Sequence, residues 1–254
     1  MQPDATNPQF AAQFASKIDH TILKPEALAA DVDAVVRDAI AHRFASVCVA
    51  ANWVRYIAPR LSGSGVKVCS VVGFPHGTSK STVKAIEATA AVKDGAEEVD
   101  VVAFLPHLLN LDLDAAREEL SEIARASRAA NPRVLIKVIV ESAALSAAAA
   151  KDGAKFEAMI ALACEAVRES GCDFIKTSTG FHPAGGASPL AVKLMKQHSG
   201  GVIQVKASGG IRDLATAQDM LAAGADRLGL SASVAIMGEL AGKSNTDTKQ
   251  KGGY

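Results

Sequence analysis

Three lysines lie inside apolar runs of the chain: Lys137 in LIKVIVE, Lys176 in DFIKTSTG and Lys206 in VIQVKASGG. An ammonium in such a run must be desolvated, paired or put to use. One such lysine reads as a snorkelling side chain or an ion pair with an inward acid such as Glu141 or Asp100. Three together read as chemistry, because a cluster of buried like charges has little structural use. Clustered lysines suit amine nucleophilic catalysis, in which a neutral lysine attacks a carbonyl and both burial and a neighbouring ammonium help it shed its proton. The resulting Schiff base acidifies the adjacent carbon, so a carboxylate must move that proton. Asp100, in EEVDVVAF and alternating with Glu98 and Val102, is the candidate. Its plainer reading is a counter-ion to a lysine, and the two roles are compatible.

Glycines mark a second function. Thr179-Gly180, Ser208-Gly209-Gly210 and Gly229-Leu230-Ser231 each end an apolar run, the last just before a helix expected over Ser233–Leu240. Backbone N–H groups that approach an anion at a helix N-terminus make a phosphate site, although a single Gly-Gly pair is more often a tight turn. The six histidines show no HxH, HxxxH or HExxH spacing, and His20 reads as a core residue. No metal is expected.

These residues need elements to hold them. A repeated joint, a helix closed by Gly and followed by a short apolar run, recurs at Gly95, Gly171 and Gly224. Phe156, Met159, Ile160, Ala163 and Val167 form an apolar stripe before Gly171. Val83, Ile86 and Ala90 are expected to do the same before Gly95, and Leu214, Ala217 and Leu221 before Gly224, with Asp213 as N-cap. Eight strands are predicted: Ile18–Thr21, Ser46–Ala50, Lys67–Gly73, Glu98–Val102, Val134–Val140, Phe174–Ser178, Val202–Ala207 and Arg227–Leu230. Strands alternating with amphipathic helices require parallel pairing, and eight units in 254 residues give the α/β class, a single-domain (β/α)8 TIM barrel. An open doubly wound sheet is the competitor, disfavoured because no G-x-G-x-x-G turn follows the first strand. The barrel is expected over residues 1–242, with a short N-terminal extension and a flexible tail over 243–254.

Composition narrows the function. The chain carries 27 Lys+Arg against 27 Asp+Glu, which argues against nucleic acid as a partner. No window is apolar enough for a membrane span and the polar N-terminus does not read as a signal peptide. Cys48, Cys69, Cys164 and Cys172 lack CxxC spacing and read as reduced thiols of a cytoplasmic protein.

Taken together, IDHTILKPEA, SVCVAANWV, VVGFPHG, GAEEVDVV, LIKVIVE, DFIKTSTG, VKASGGIR and the terminal Tyr254 resemble the deoxyribose-phosphate aldolase family over nearly the whole chain. The resemblance implies a class I aldolase that joins acetaldehyde to D-glyceraldehyde 3-phosphate, or cleaves 2-deoxy-D-ribose 5-phosphate, without metal or organic cofactor. It implies Lys176 as the Schiff-base lysine, Lys206 as the neighbour that lowers its pKa, and Asp100 as the proton donor and acceptor acting through water. It also implies Asp19, Thr21, Cys48 and Lys137 as pocket residues and Tyr254 as an aid to proton transfer; a homodimer is an expectation that the sequence itself does not decide. Two departures stand out. Some relatives carry a lysine after KTSTG where this chain has Phe181-His182-Pro183-Ala184, and Ala232 replaces a second serine after Ser231. Both leave fewer phosphate donors and predict relaxed discrimination against non-phosphorylated aldehydes. Rival readings are another Schiff-base aldolase or transaldolase acting on a ketose phosphate, a metal-free phosphosugar isomerase with Asp100 as base, and a non-catalytic sugar-phosphate binder.

Overall fold

In the computed structural model, which describes residues 8–242, eight parallel strands close on themselves in sequence order. They are β1 (Ile18–Thr21), β2 (Ser46–Val49), β3 (Lys67–Val72), β4 (Glu98–Val102), β5 (Leu135–Ile139), β6 (Phe174–Lys176), β7 (Gln204–Ser208) and β8 (Arg227–Leu230). The helices are α1 (Pro8–Ala15), which precedes β1, then α2 (Ala29–His42), α3 (Ala51–Leu61), α4 (Ser81–Lys93), α5 (Leu105–Leu109) and α6 (Leu113–Ala130). After β5 come α7 (Ser142–Ala148), α8 (Gly153–Glu169), α9 (Pro189–His198), α10 (Leu214–Ala222) and α11 (Ser233–Leu240). This is the (β/α)8 barrel that the alternation required. No helix among the described residues is long and apolar enough to cross a membrane.

Period-two alternation sorts the strand residues onto two surfaces. Val47, Val49, Val99, Val101, Ile136, Val138, Ile175, Val205 and Leu228 belong to the large apolar core shared with the helices. The positions between them carry Asp19, Cys48, Cys69, Asp100, Lys137, Lys176 and Lys206, all buried. Register puts these side by side: Cys48 pairs with Cys69, Asp100 with Lys137, and Lys176 with Lys206. Where many such barrels are filled by branched apolar side chains, this one is filled at that level by charge.

Local signals explain most boundaries. Gly95, Gly171 and Gly224 all adopt positive φ just after a helix, as the repeated joint demanded. Asp213 caps α10 by accepting from the Thr216 N–H. β7 starts at Gln204 rather than at Val202, because Gly200 and Gly201 both hold positive φ and keep the chain turning, which leaves Val202 exposed.

One helix face is reversed. Val83 and Ile86 are 50% and 70% exposed, and α4 buries Lys84, Ala85, Ala88, Ala91 and Val92 instead. An alanine-rich helix has small residues on every side, and the side that packs is the one whose alanines allow close approach while Lys84 reaches an acid. That acid is Glu119 on α6, 2.6 Å from the Lys84 Nζ, which also donates to the Val102 carbonyl at 2.7 Å. The other oxygen of Glu119 accepts the Phe104 N–H, and Glu87 accepts the Gly73 N–H. The segments that leave β3 and β4 are thereby tied to α4 and α6.

Candidate active site

Asp100 is the hub of the barrel interior. It is fully buried on β4, and its Oδ1 lies 2.8 Å from the Lys137 Nζ while its Oδ2 takes the Nζ atoms of both Lys176 and Lys206, each at 2.7 Å. The three lysines singled out in the sequence therefore converge on the acid singled out with them. Their partners differ. Lys137 also contacts Glu98 at 2.5 Å and Asp19 at 3.7 Å, and Lys206 contacts Asp19 at 2.5 Å. Lys176, at the end of β6, has Asp100 as its one carboxylate partner among the described residues.

Arg227 and Glu98, which the sequence reading left out of the site, complete the network from below. Arg227 binds Asp19 at 2.6 Å and Glu98 at 3.4 Å, and Ser46 donates to Asp19 at 2.7 Å. Their signal was present: Glu98 stands two residues before Asp100, and Arg227 opens a strand, so both occupy inward positions.

Burial alone would raise the pKa of Asp100, but the ammoniums of Lys137, Lys176 and Lys206 reverse that and hold it well below the usual carboxylate range. Asp19 is depressed in the same way, with Lys206, Lys137 and Arg227 overcoming its burial. Burial would likewise drive the amines of Lys137 and Lys206 toward neutrality, as expected for buried lysines. The carboxylates, led by Asp100, outweigh it and raise both, so these two residues keep their protons firmly.

One wall of the pocket is apolar. Cys48, Cys69 and Val71 form a buried cluster against Leu23 and Phe74, and Phe74 meets Phe181 edge to face at 5.2 Å. Thr21 closes β1 in register with Cys48 and donates to its own strand at the Asp19 carbonyl. Cys48, Cys69 and an Asp100 oxygen lie within 4.8 Å of one another, a donor set that is a candidate for a metal ion. The ammoniums already seated on both Asp100 oxygens repel a cation there.

The phosphate candidates gather at the ends of β6, β7 and β8. Gly180, Gly209 and Gly210 all hold positive φ, and a side chain on Gly209 would come within 3.1 Å of the backbones of Gly180 and Gly186. These glycines let two loops touch. Other groups there are committed to the protein: Thr179 donates its N–H to Glu141, Ser208 donates its hydroxyl to the Ser178 carbonyl at 2.6 Å, and the Ser208 N–H goes to Thr177. Gly229 lies within β8, where a Cβ would sit 2.8 Å from that of Ser208 and 3.1 Å from Cε of Lys206, so its bareness makes room for that lysine. Ser231 is half-buried, and Ala232 occupies the N-cap of α11 without a side-chain cap bond. Tyr254 and the expected tail over 243–254 lie outside the described residues.

The sequence profile of the DeoC/LacD family of aldolases matches residues 14–245, nearly the whole barrel. The chain belongs to this family. It is an aldolase, hence a lyase, and the motif resemblance led to the right relatives. A deoxyribose-phosphate aldolase of Mycobacterium avium is 48% identical over 226 residues, covering 89% of this chain and 96% of that one. One from Kocuria rhizophila is 44% identical over 227 residues, with 89% and 96% covered. The solved structure of the Aeropyrum pernix deoxyribose phosphate aldolase, described as a unique tetramer, superposes with a TM-score of 0.79 at 31% identity, covering 92% of this chain and 94% of that one.

Proposed function

We propose that the protein reversibly cleaves 2-deoxy-D-ribose 5-phosphate to D-glyceraldehyde 3-phosphate and acetaldehyde through a Schiff base on Lys176. The observation that carries this reading is the convergence of three lysines on one buried carboxylate, with Lys176 the one that has Asp100 as its sole carboxylate partner among the described residues. Its proton leaves along that single 2.7 Å bond, and the amine attacks the C1 aldehyde. Asp100 hands that proton on to the carbinolamine hydroxyl, which leaves as water to give the iminium and returns Asp100 to its carboxylate form. As the C2–C3 bond breaks, its electron pair neutralises the iminium nitrogen to an enamine, while the C3 hydroxyl proton departs through water to Asp100 and leaves a carbonyl on C3. Neutralising that nitrogen removes one of the three cations around Asp100, so its proton affinity rises as it must accept. Asp100 then returns the proton to the enamine carbon, and water hydrolyses the new iminium to release acetaldehyde.

Lys137 and Lys206 stay charged throughout and fix the Asp100 oxygens from two sides. The backbone amides around Gly180, Gly209, Gly210 and Ser231 and the start of α11 hold the phosphate. The chemistry rests on these side chains and calls for no cofactor, and the names of the relatives support a small phosphosugar substrate.

Borohydride reduction in the presence of acetaldehyde, followed by peptide mass analysis, is expected to place the label on Lys176 alone. Lys176→Arg is expected to abolish turnover, because a guanidinium does not attack a carbonyl at neutral pH. A label elsewhere, or appreciable turnover by that variant, defeats the reading; the latter favours an isomerase with Asp100 as base.

A further inference from the structure

Two thiols stand side by side in the apolar wall of the pocket, and the aldolase steps use neither. Cys48 on β2 and Cys69 on β3 are direct register partners, so their side chains leave the sheet on the same face. Neighbouring strands run about 4.8 Å apart, which falls inside the Cα separation that a disulfide spans, roughly 4.4–6.8 Å. Their sulfurs lie within 4.8 Å of each other, so rotation about the side-chain bonds brings them together without moving a strand.

The two thiols are not equivalent. Cys69 donates to Asp100 Oδ1 at 3.2 Å and lies 3.4 Å from the Lys137 Nζ. A thiol donating to a carboxylate keeps its proton, and burial, the bond with Cys48 and the charge of Asp100 all push the Cys69 pKa up. Cys48 has the opposite tendency: the neighbouring Cys69 thiol lowers it, against the effect of burial. The Cys69 proton is held by Asp100 and no carboxylate bond among the described residues holds that of Cys48, so Cys48 is the nucleophile and Cys69 the resolving thiol.

We propose that Cys48 and Cys69 are a modification site for small peroxides, whose two-electron oxidation to a disulfide reversibly shuts the Schiff-base site. The Cys48 thiolate attacks one oxygen of hydrogen peroxide, the O–O bond breaks, and hydroxide leaves with the proton that Cys48 gave up, as water. The Cys69 sulfur then attacks the Cys48 sulfenic acid, the S–O bond breaks, and the departing hydroxyl takes the Cys69 proton to form a second water. Both thiols are fully buried, so access rests on the proposed function: a pocket that admits a two-carbon aldehyde to Lys176 admits the smaller peroxide. The disulfide removes the proton that Cys69 lends to Asp100. Turnover is expected to fall about tenfold or more, the weight of one hydrogen bond to a charged group.

The test is peroxide titration of the full chain, pre-reduced and freed of reductant, with alkylation after unfolding. The expected product weighs two hydrogen atoms less than the reduced chain. Its non-reducing tryptic digest joins residues 44–55, which hold Cys48, to residues 68–80, which hold Cys69. Cys164 and Cys172, whose thiols burial pushes up to about 12, are expected to stay alkylatable as internal controls. Activity is expected to return with dithiothreitol. Cys69→Ala, scored against its own reduced activity, has no resolving thiol, so excess peroxide is expected to carry Cys48 on to the sulfinic and sulfonic acids, a gain of two or three oxygens, and dithiothreitol no longer restores activity. Peroxide inactivation with Cys48 and Cys69 both still alkylatable overturns the proposal, as does oxygen added to either thiol of the wild-type chain without the cross-link. The mass readout needs no turnover, so a failed aldolase assay and a failed dithiol are told apart.

Discussion

Replacing Lys84 with methionine isolates the ion pair that ties the ends of β3 and β4 to the helices. Lys84 is fully buried and Glu119 is 6% exposed, so the salt bridge at 2.6 Å is an interior one. Methionine keeps most of the apolar stem and removes only the charge. It leaves the Glu119 carboxylate with the Phe104 N–H at 3.1 Å as its remaining partner, and it strips the Val102 carbonyl of its donor. Breaking one side of a buried pair costs about 3–5 kcal/mol. For a chain of this size that lowers Tm by about 6–20 °C. The double variant Lys84→Met/Glu119→Gln removes both charges and preserves an acceptor for Phe104, so its loss is expected to shrink to about 1–2 kcal/mol. Urea unfolding followed by circular dichroism measures both, provided the slopes agree. A single variant that loses under about 1 kcal/mol, or a double variant as damaged as the single one, refutes the idea that the uncompensated buried charge is what destabilises the fold.

Acid stability has two separable sources. Burial lowers the pKa of His20 to about 4, so an unfolded chain takes up a proton near pH 6.5 that the folded chain refuses; the stability is whole above about pH 6.5 and about 3 kcal/mol of it is lost by pH 4. Urea midpoints against pH are expected to flatten over that window in His20→Gln, and an unchanged slope counts against it. Asp19 and Asp100, held below their ordinary range, contribute stability that is intact above about pH 4 and drains only at lower pH. Gly229→Ala places a methyl 3.1 Å from the Lys206 Cε, and kcat is expected to fall about tenfold with the far-ultraviolet spectrum unchanged; full activity shows that Lys206 has room to spare.

The inward positions of the strands were legible because alternation has a period of two and a lysine on an apolar strand has few other uses. Ile18–Thr21, Glu98–Val102 and Arg227–Leu230 needed no revision. What the pattern lacked was the distance across the barrel. That Arg227 meets Asp19, or that Lys137 meets Glu98, depends on how strands far apart in sequence are staggered on closure, and no local spacing carries that. Glu141 shows another limit: the sequence offered it as an inward acid that could pair with a lysine, whereas it is buried at positive φ and accepts the Thr179 N–H. Lys84 was hidden for a third reason. A lysine on a helix normally marks the solvent side, and only the size of its alanine neighbours reveals that this one points inward.

The interior charges divide the pocket into halves of unequal freedom. Asp19, Glu98, Asp100, Lys137, Lys206 and Arg227 each meet at least two opposite charges, so a change at one alters the worth of the others and single steps there are coupled. The adjoining wall is built from the apolar side chains of Leu23, Val71, Phe74 and Phe181, and substitutions there combine more independently. New aldehyde preferences are therefore most accessible to evolution along that wall, one residue at a time, while the charged half is inherited as a block.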